Sequence, residues 1–238
     1  DIDDLKDTAL AIARALDTNL AIKYNDFFNA LAGTYNDYIL YRQNGISEQK
    51  DFHGNRDFYN LIKTAMRELM KNKEELADNN NKILTEIGIQ ALHRNFGGLD
   101  ENEKIFEFFK NRYKNKYDNT VDLNKSFSVL DAIKKNVTDP NSRYLMLISD
   151  GNNGSDIVKY LLKNMNKQYI ELVGSKYSYD KKSGKYTEEI LNKVKYIMET
   201  DNVLILRDLD IIYPSLYDLF NQNFTVMGEK KFARIAFE

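Results

Sequence analysis

Arg143-Tyr144-Leu145-Met146-Leu147-Ile148 runs directly into Ser149-Asp150-Gly151-Asn152-Asn153-Gly154-Ser155-Asp156, so a short apolar stretch breaks into small polar residues. The apolar stretch has strand length, the polar one reads as a loop, and Ile157 to Leu162 resumes at helical spacing. The same alternation recurs downstream: Tyr169–Val173 predicts a strand, Tyr186–Met198 a helix and Val203–Leu206 another strand. Strands alternating with helices imply βαβ crossovers and hence a parallel sheet, because parallel neighbours need a long return connection. A helix carrying Phe127, Leu130 and Ile133 leads through Asp139-Pro140 into this region. A helix over Ser215–Asn221 follows it, then a hairpin of Phe224–Met227 and Phe232–Phe237 around Gly228.

Working back toward residue 1, the period changes near residues 115–125 and the sequence reads as helix throughout, with no convincing strand. Leu5, Ala9, Ile12, Ala13 and Leu16 fall on one face of a helix whose start is favoured by Asp3 and Asp4. A long helix from Asn19 to Tyr41 carries Leu20, Tyr24, Phe27, Phe28, Leu31, Tyr35, Tyr38 and Ile39 and stops before Gly45. After a polar loop over Gln43–Gln49, three more helices are expected: Asn55–Asn72, Asn81–Arg94 before Gly97-Gly98, and Glu101–Tyr113. The aromatic residues at helical spacing read as core packing. Two domains result, an all-α one over residues 1–118 and an α/β one over residues 119–238.

Composition narrows the chemistry. The 238 residues include no Cys and only His53 and His93, which excludes a disulfide framework, a thiolate nucleophile and a Cys/His zinc site. No apolar run approaches the roughly 18 residues of a membrane helix, so neither a bilayer crossing nor a secretory leader is expected. Lys and Arg number 34 against 36 Asp and Glu, and a net charge of −2 gives no global field for nucleic acid. Lys176, Lys181, Lys182 and Lys185 form a local basic run beside Asp180 and Glu188, read as solvent-facing. Asp150-x-Asn152 with Ser155 and Asp156 lacks the order and the distal Glu of a calcium loop.

The loop after the first strand of an α/β domain is where phosphate binds, since a helix N-terminus meets free backbone N–H groups there. Against the pattern G-x-x-x-x-G-K-[ST], Gly154 fits the second glycine, but Ser149 replaces the first, Ser155 the lysine and Asp156 the magnesium-binding hydroxyl. The charge that grips a triphosphate is missing, and a carboxylate stands where the magnesium-binding hydroxyl belongs. The second motif departs too: after Val203-Leu204-Ile205-Leu206, Arg207 takes the position of the metal-binding carboxylate and Asp208 follows. We expect Asp156 and Arg207 either to pair across the vacated magnesium position or to be ordinary surface charges.

His53-Gly54-Asn55-Arg56-Asp57-Phe58-Tyr59-Asn60-Leu61-Ile62-Lys63 resembles the start of the third lid helix of AAA+ ATPases, where the arginine is called sensor 2. Together with Arg94-Asn95-Phe96-Gly97-Gly98-Leu99, Met198-Glu199-Thr200 and Tyr213-Pro214-Ser215-Leu216-Tyr217-Asp218-Leu219-Phe220-Asn221-Gln222, that run is similar to the mysterin-like family of giant AAA+ RING-finger ubiquitin ligases, across residues 50–238. The resemblance implies a fragment: the helical lid of one AAA+ unit followed by the truncated, degenerate phosphate-loop core of the next, within a dynein-like ring. It implies that Arg56 reaches the γ-phosphate of ATP in the upstream unit. A pairing of Arg56 with Asp57 or another nearby carboxylate is the alternative. Having no Cys, the chain holds no RING.

The expected role is a non-catalytic coupling segment with no cofactor of its own, ATP and Mg²⁺ acting in neighbouring units. Its partners would be adjacent AAA+ units of the same chain, in the cytoplasm, with no nucleic acid and no membrane span. Two rivals stay open: a divergent, active ATP-hydrolysing AAA+ domain drawing on Lys159 or Asp208, and a stand-alone α/β binding module with a helical extension.

Overall fold

The computed structural model describes residues 1–45, 53–76, 80–97, 103–122, 128–139, 142, 144–149, 151 and 153–236. They fall into two units, Asp1–Ser128 and Val129–Glu238.

The first unit is helical: α1 (Ile2–Arg14), α2 (Thr18–Lys23), α3 (Asn25–Asn44), α4 (Asn55–Lys71), α5 (Asn81–Phe96) and α6 (Glu103–Arg112). Asp1 and Asp17 cap α1 and α2 by accepting the backbone N–H groups of Asp3 and Leu20, which satisfies donors a helix start leaves free. The long helix expected from Asn19 is instead two, broken at Tyr24. The break lets the Tyr24 ring sink into the core, where its hydroxyl donates to the carbonyl of Leu76 at 3.0 Å. A side chain bonded 52 residues away leaves no trace in local periodicity.

The aromatic residues form the core as their spacing predicts. Phe27 meets the edges of Phe28, Phe109 and Tyr113 at centroid distances of 5.5, 6.3 and 5.8 Å, and Tyr35 lies 4.9 Å from Phe58. Tyr59, one residue off that face, is exposed. Arg112 clamps Asp37 with two hydrogen bonds of 2.7 and 2.6 Å, tying α6 to α3 with its stem lying over Gly33. Gly88 of α5 is packed so tightly beneath the Phe109 ring that a Cβ there overlaps Phe109 Cζ and Cε1. Gly88→Ala is therefore expected to destabilise this unit by roughly 1–3 kcal/mol, seen as a lowered urea midpoint in far-UV circular dichroism.

His53 is buried against Phe96 and Tyr38, at 4.8 and 5.7 Å between ring centroids. Burial, together with the nearby Arg42 guanidinium, pulls its pKa below the ordinary value, and Asp57 opposes the shift in part. The unfolded chain then binds the proton more readily, so this contribution to stability is complete above the ordinary histidine value of about 6.5 and is lost as pH falls below it. Thermal melts between about pH 7.5 and 5.5 are expected to show a falling midpoint, flattened in His53→Phe.

The second unit contains α7 (Val129–Thr138), α8 (Asn153–Asn164), β1 (Tyr169–Val173), α9 (Ser178–Lys181), α10 (Gly184–Met198), β2 (Val203–Arg207), two 3₁₀ turns (Asp210–Ile212 and Pro214–Leu216), α11 (Tyr217–Phe220) and the hairpin β3 (Phe224–Met227)–β4 (Lys230–Ala233). β1 and β2 are parallel, in register from Tyr169↔Val203 to Val173↔Arg207, with α10 as the crossover. Leu172, Leu204 and Leu206 turn to one face and pack on Ile190, Leu191 and Val194 of α10 and on Leu209, Ile212 and Leu216. Glu171 and Arg207 turn to the other face.

Two expectations are corrected here. Tyr144–Ile148 is not a strand: it makes no ladder with β1 or β2, and Met146 and Ile148 are 79% and 87% exposed. An apolar composition supplies a surface to bury but not a neighbour to pair with. The helix expected over Ser215–Asn221 is a 3₁₀ turn running into the single turn α11. Arg143, Phe127, Pro140, Asp150, Asn152, Gly98, Leu99 and Phe237 lie outside the described residues.

Candidate functional site

Of the residues expected at a phosphate-loop position, Gly154, Ser155 and Asp156 lie in the first turn of α8. Gly154 is buried, and a Cβ on it would meet Ser149 Oγ at 2.6 Å and Leu147 Cδ2 at 3.2 Å. The Ser149 hydroxyl turns back on its own loop and donates to the Gly151 carbonyl at 3.1 Å, where Gly151 takes φ +84°. Ser149 and Gly154, spaced as the two glycines of the motif, are therefore in contact. Ser155 Oγ is a buried oxygen with no hydrogen-bond partner among the described residues.

Asp156 and Arg207 do not pair with each other. Asp156 takes Lys159, one turn along the same helix, at 2.9 Å. Lys159 also donates to Glu171 Oε2 at 2.9 Å, and Glu171 Oε1 faces Arg207 Nε at 3.6 Å. The result is a chain of alternating charge, Asp156–Lys159–Glu171–Arg207, joining the first turns of α8 to the middle of β1 and the end of β2. Each charge found a nearer opposite partner than the one expected: Lys159 lies three residues from Asp156 on one helix face, and Glu171 shares a sheet face with Arg207. The two carboxylates hold the Lys159 ammonium above the ordinary lysine range, the hydrogen bond from Glu171 contributing most. The Arg207–Glu171 contact is too long for a hydrogen bond, and Glu171 Oε1 and Arg207 Nε have no hydrogen-bond partner among the described residues.

Asp208 lies just past β2, exposed, in the left-handed conformation at φ +55°, with no hydrogen bond or ion pair among the described residues. Its carbonyl packs on Gly174, whose N–H donates to the Arg207 carbonyl at 2.8 Å. Arg56, in the first turn of α4, is also exposed and without such a partner among the described residues. The alternative pairing with Asp57 is not formed: Asp57 accepts the Gly54 N–H at 2.8 Å and caps the helix instead. Lys176, Lys182 and Lys185 are exposed to solvent.

Sequence reasoning missed Glu171, although a carboxylate in the middle of the apolar strand Tyr169-Ile170-Glu171-Leu172-Val173 was a signal that a cation must face it. It treated Lys159 as spare, and that ammonium is shared by two carboxylates. Among the described residues no group of three His, Cys, Asp or Glu is placed to hold a metal ion, and no helix is long and apolar enough to cross a membrane.

Residues 134–238 match the family model described as the RNF213 AAA domain. The chain resembles RNF213. Similarity to the E3 ubiquitin-protein ligase RNF213 of Homo sapiens is 27% identity over 197 residues, and to that of Mus musculus 28% over 191 residues. For the E3 ubiquitin-protein ligase rnf213-beta of Danio rerio it is 26% over 193 residues. Each comparison takes in 78% of this chain, which spans 4% of the length of each relative. No solved structure matches. The small parallel sheet with helices around it is compatible with an AAA domain, and the resemblance read from the residues points to the same proteins as these matches. In this RNF213-like segment a methyl group at Gly174 has nowhere to go but into the Asp208 carbonyl oxygen. Gly174→Ala is expected to destabilise the second unit by roughly 1–3 kcal/mol, and amide hydrogen exchange should report it as lost protection in β1 and β2.

Proposed function

We propose that the chain is a non-catalytic coupling segment in the AAA+ ring of an RNF213-like motor and ubiquitin ligase. Residues 1–118 are read as the helical lid of one AAA+ unit and residues 119–238 as the degenerate core of the next. The observation that carries this reading is the use already made of the local cations: Lys159 is bound to Asp156 and Glu171, and Arg207 faces Glu171. A triphosphate carries a high negative charge and needs uncommitted cations and a magnesium-binding hydroxyl, whereas the motif positions here hold Ser149, Ser155 and Asp156. These residues do not fit ATP–Mg²⁺.

In this reading ATP and Mg²⁺ act in adjacent AAA+ units of the same polypeptide, the segment's partners in the cytoplasm, and ligase chemistry lies elsewhere in the parent. Arg56 supports the lid assignment as an exposed guanidinium at a helix start, a position the helix dipole disfavours for a cation and favours for an anion bound beside it. Packed units transmit motion when their interface has two arrangements, which is the role proposed for this segment.

A second reading, a divergent active ATP-hydrolysing domain, has one observation in its favour: Asp208 is exposed and uncommitted at the end of β2. Isothermal titration with Mg-ATP separates the two. The coupling segment is expected to give no heat above dilution, whereas low-micromolar binding lost in Asp208→Ala supports the active domain.

A further inference from the structure

Glu171 touches the two cations of the site at once, with one carboxylate oxygen 2.9 Å from Lys159 Nζ and the other 3.6 Å from Arg207 Nε. Its side chain is 18% exposed, against 22% for Lys159 and 32% for Arg207, so the contacts are partly shielded from water. One carboxylate spanning an ammonium and a guanidinium is arranged as a bound phosphate oxyanion would be, except that it belongs to the protein. Asp156, 70% exposed, adds a second carboxylate to Lys159 from the solvent side. The four side chains together carry no net charge, and removing either carboxylate leaves one net positive charge among them.

We propose that Glu171 is a built-in anion that occupies Lys159 and Arg207 and thereby keeps polyphosphate out of this site. The proposal rests on the coupling-segment reading and deepens it: the loop is silent because its cations are filled from within, and not only because the motif lysine is missing. At the effective dielectric of a protein surface a unit charge at contact distance is worth several kcal/mol before screening, so its removal suffices for about a tenfold gain in affinity for a polyanion.

The test is metal-free inorganic triphosphate titrated calorimetrically, at low ionic strength, into the whole chain and its variants. E171Q is expected to bind at least about tenfold more tightly than the unmodified chain, and D156N/E171Q more tightly again. The gain should weaken with salt and vanish when Lys159→Met is added. A folded E171Q that binds no better than the unmodified chain overturns the proposal, and so does a gain that survives Lys159→Met. If E171Q does not fold, Glu171→Thr, a neutral residue suited to a strand, carries the decision: tighter triphosphate binding supports the proposal and unchanged binding ends it. Tight Mg-ATP binding by the unmodified chain would refute the coupling-segment reading instead, while the ratio between variants still decides this one.

Discussion

Glu171 stands in the middle of a parallel strand, where neighbours on both sides are apolar and water is scarce. Two cations reach its carboxylate from different elements: Lys159 from α8 and Arg207 from the end of β2. The rest of the second unit follows. The alternation of side chains along β1 sends Ile170 and Leu172 to the face opposite Glu171, and with Leu204 and Leu206 of β2 the leucines bury against α10. One face is thus covered by hydrophobic packing, and the other, on which Tyr169 and Val173 are exposed, carries the ion pairs of Glu171.

The helical unit rests on a different balance. Its core is aromatic, and several of its polar contacts join segments far apart in sequence: Tyr24 to the Leu76 carbonyl, Arg112 to Asp37, and Lys116 to Asp26 at 2.8 Å. Rings meeting edge to face tolerate little displacement, and Gly88 exists to let Phe109 lie directly on α5. The same unit carries Arg56 outward on the first turn of α4 while Asp57 beside it caps that turn, so neighbouring residues divide between folding and an exposed charge.

Much of this was legible in the chain itself. The helical faces of the first unit, the strands at Tyr169 and Val203, and the core role of Phe27, Phe28, Tyr35 and Tyr38 follow from side-chain period, because burial selects it directly. Tyr144–Ile148 was misread for the complementary reason: hydrophobicity marks a segment that prefers burial, whereas a strand exists only with a hydrogen-bonded neighbour. The break at Tyr24 was hidden because the residue that rewards it, Leu76, lies far along the chain.

At the candidate site the division is equally clear. Residue identity alone determined that Ser149, Ser155 and Asp156 depart from the pattern G-x-x-x-x-G-K-[ST], since a hydroxyl or a carboxylate is the same group in any fold. Which charge meets which was decided only by the tertiary structure. Electrostatic partners are chosen by distance, and distance depends on how the face of α8 carrying Asp156 and Lys159 comes to lie over the face of β1 and β2 carrying Glu171 and Arg207.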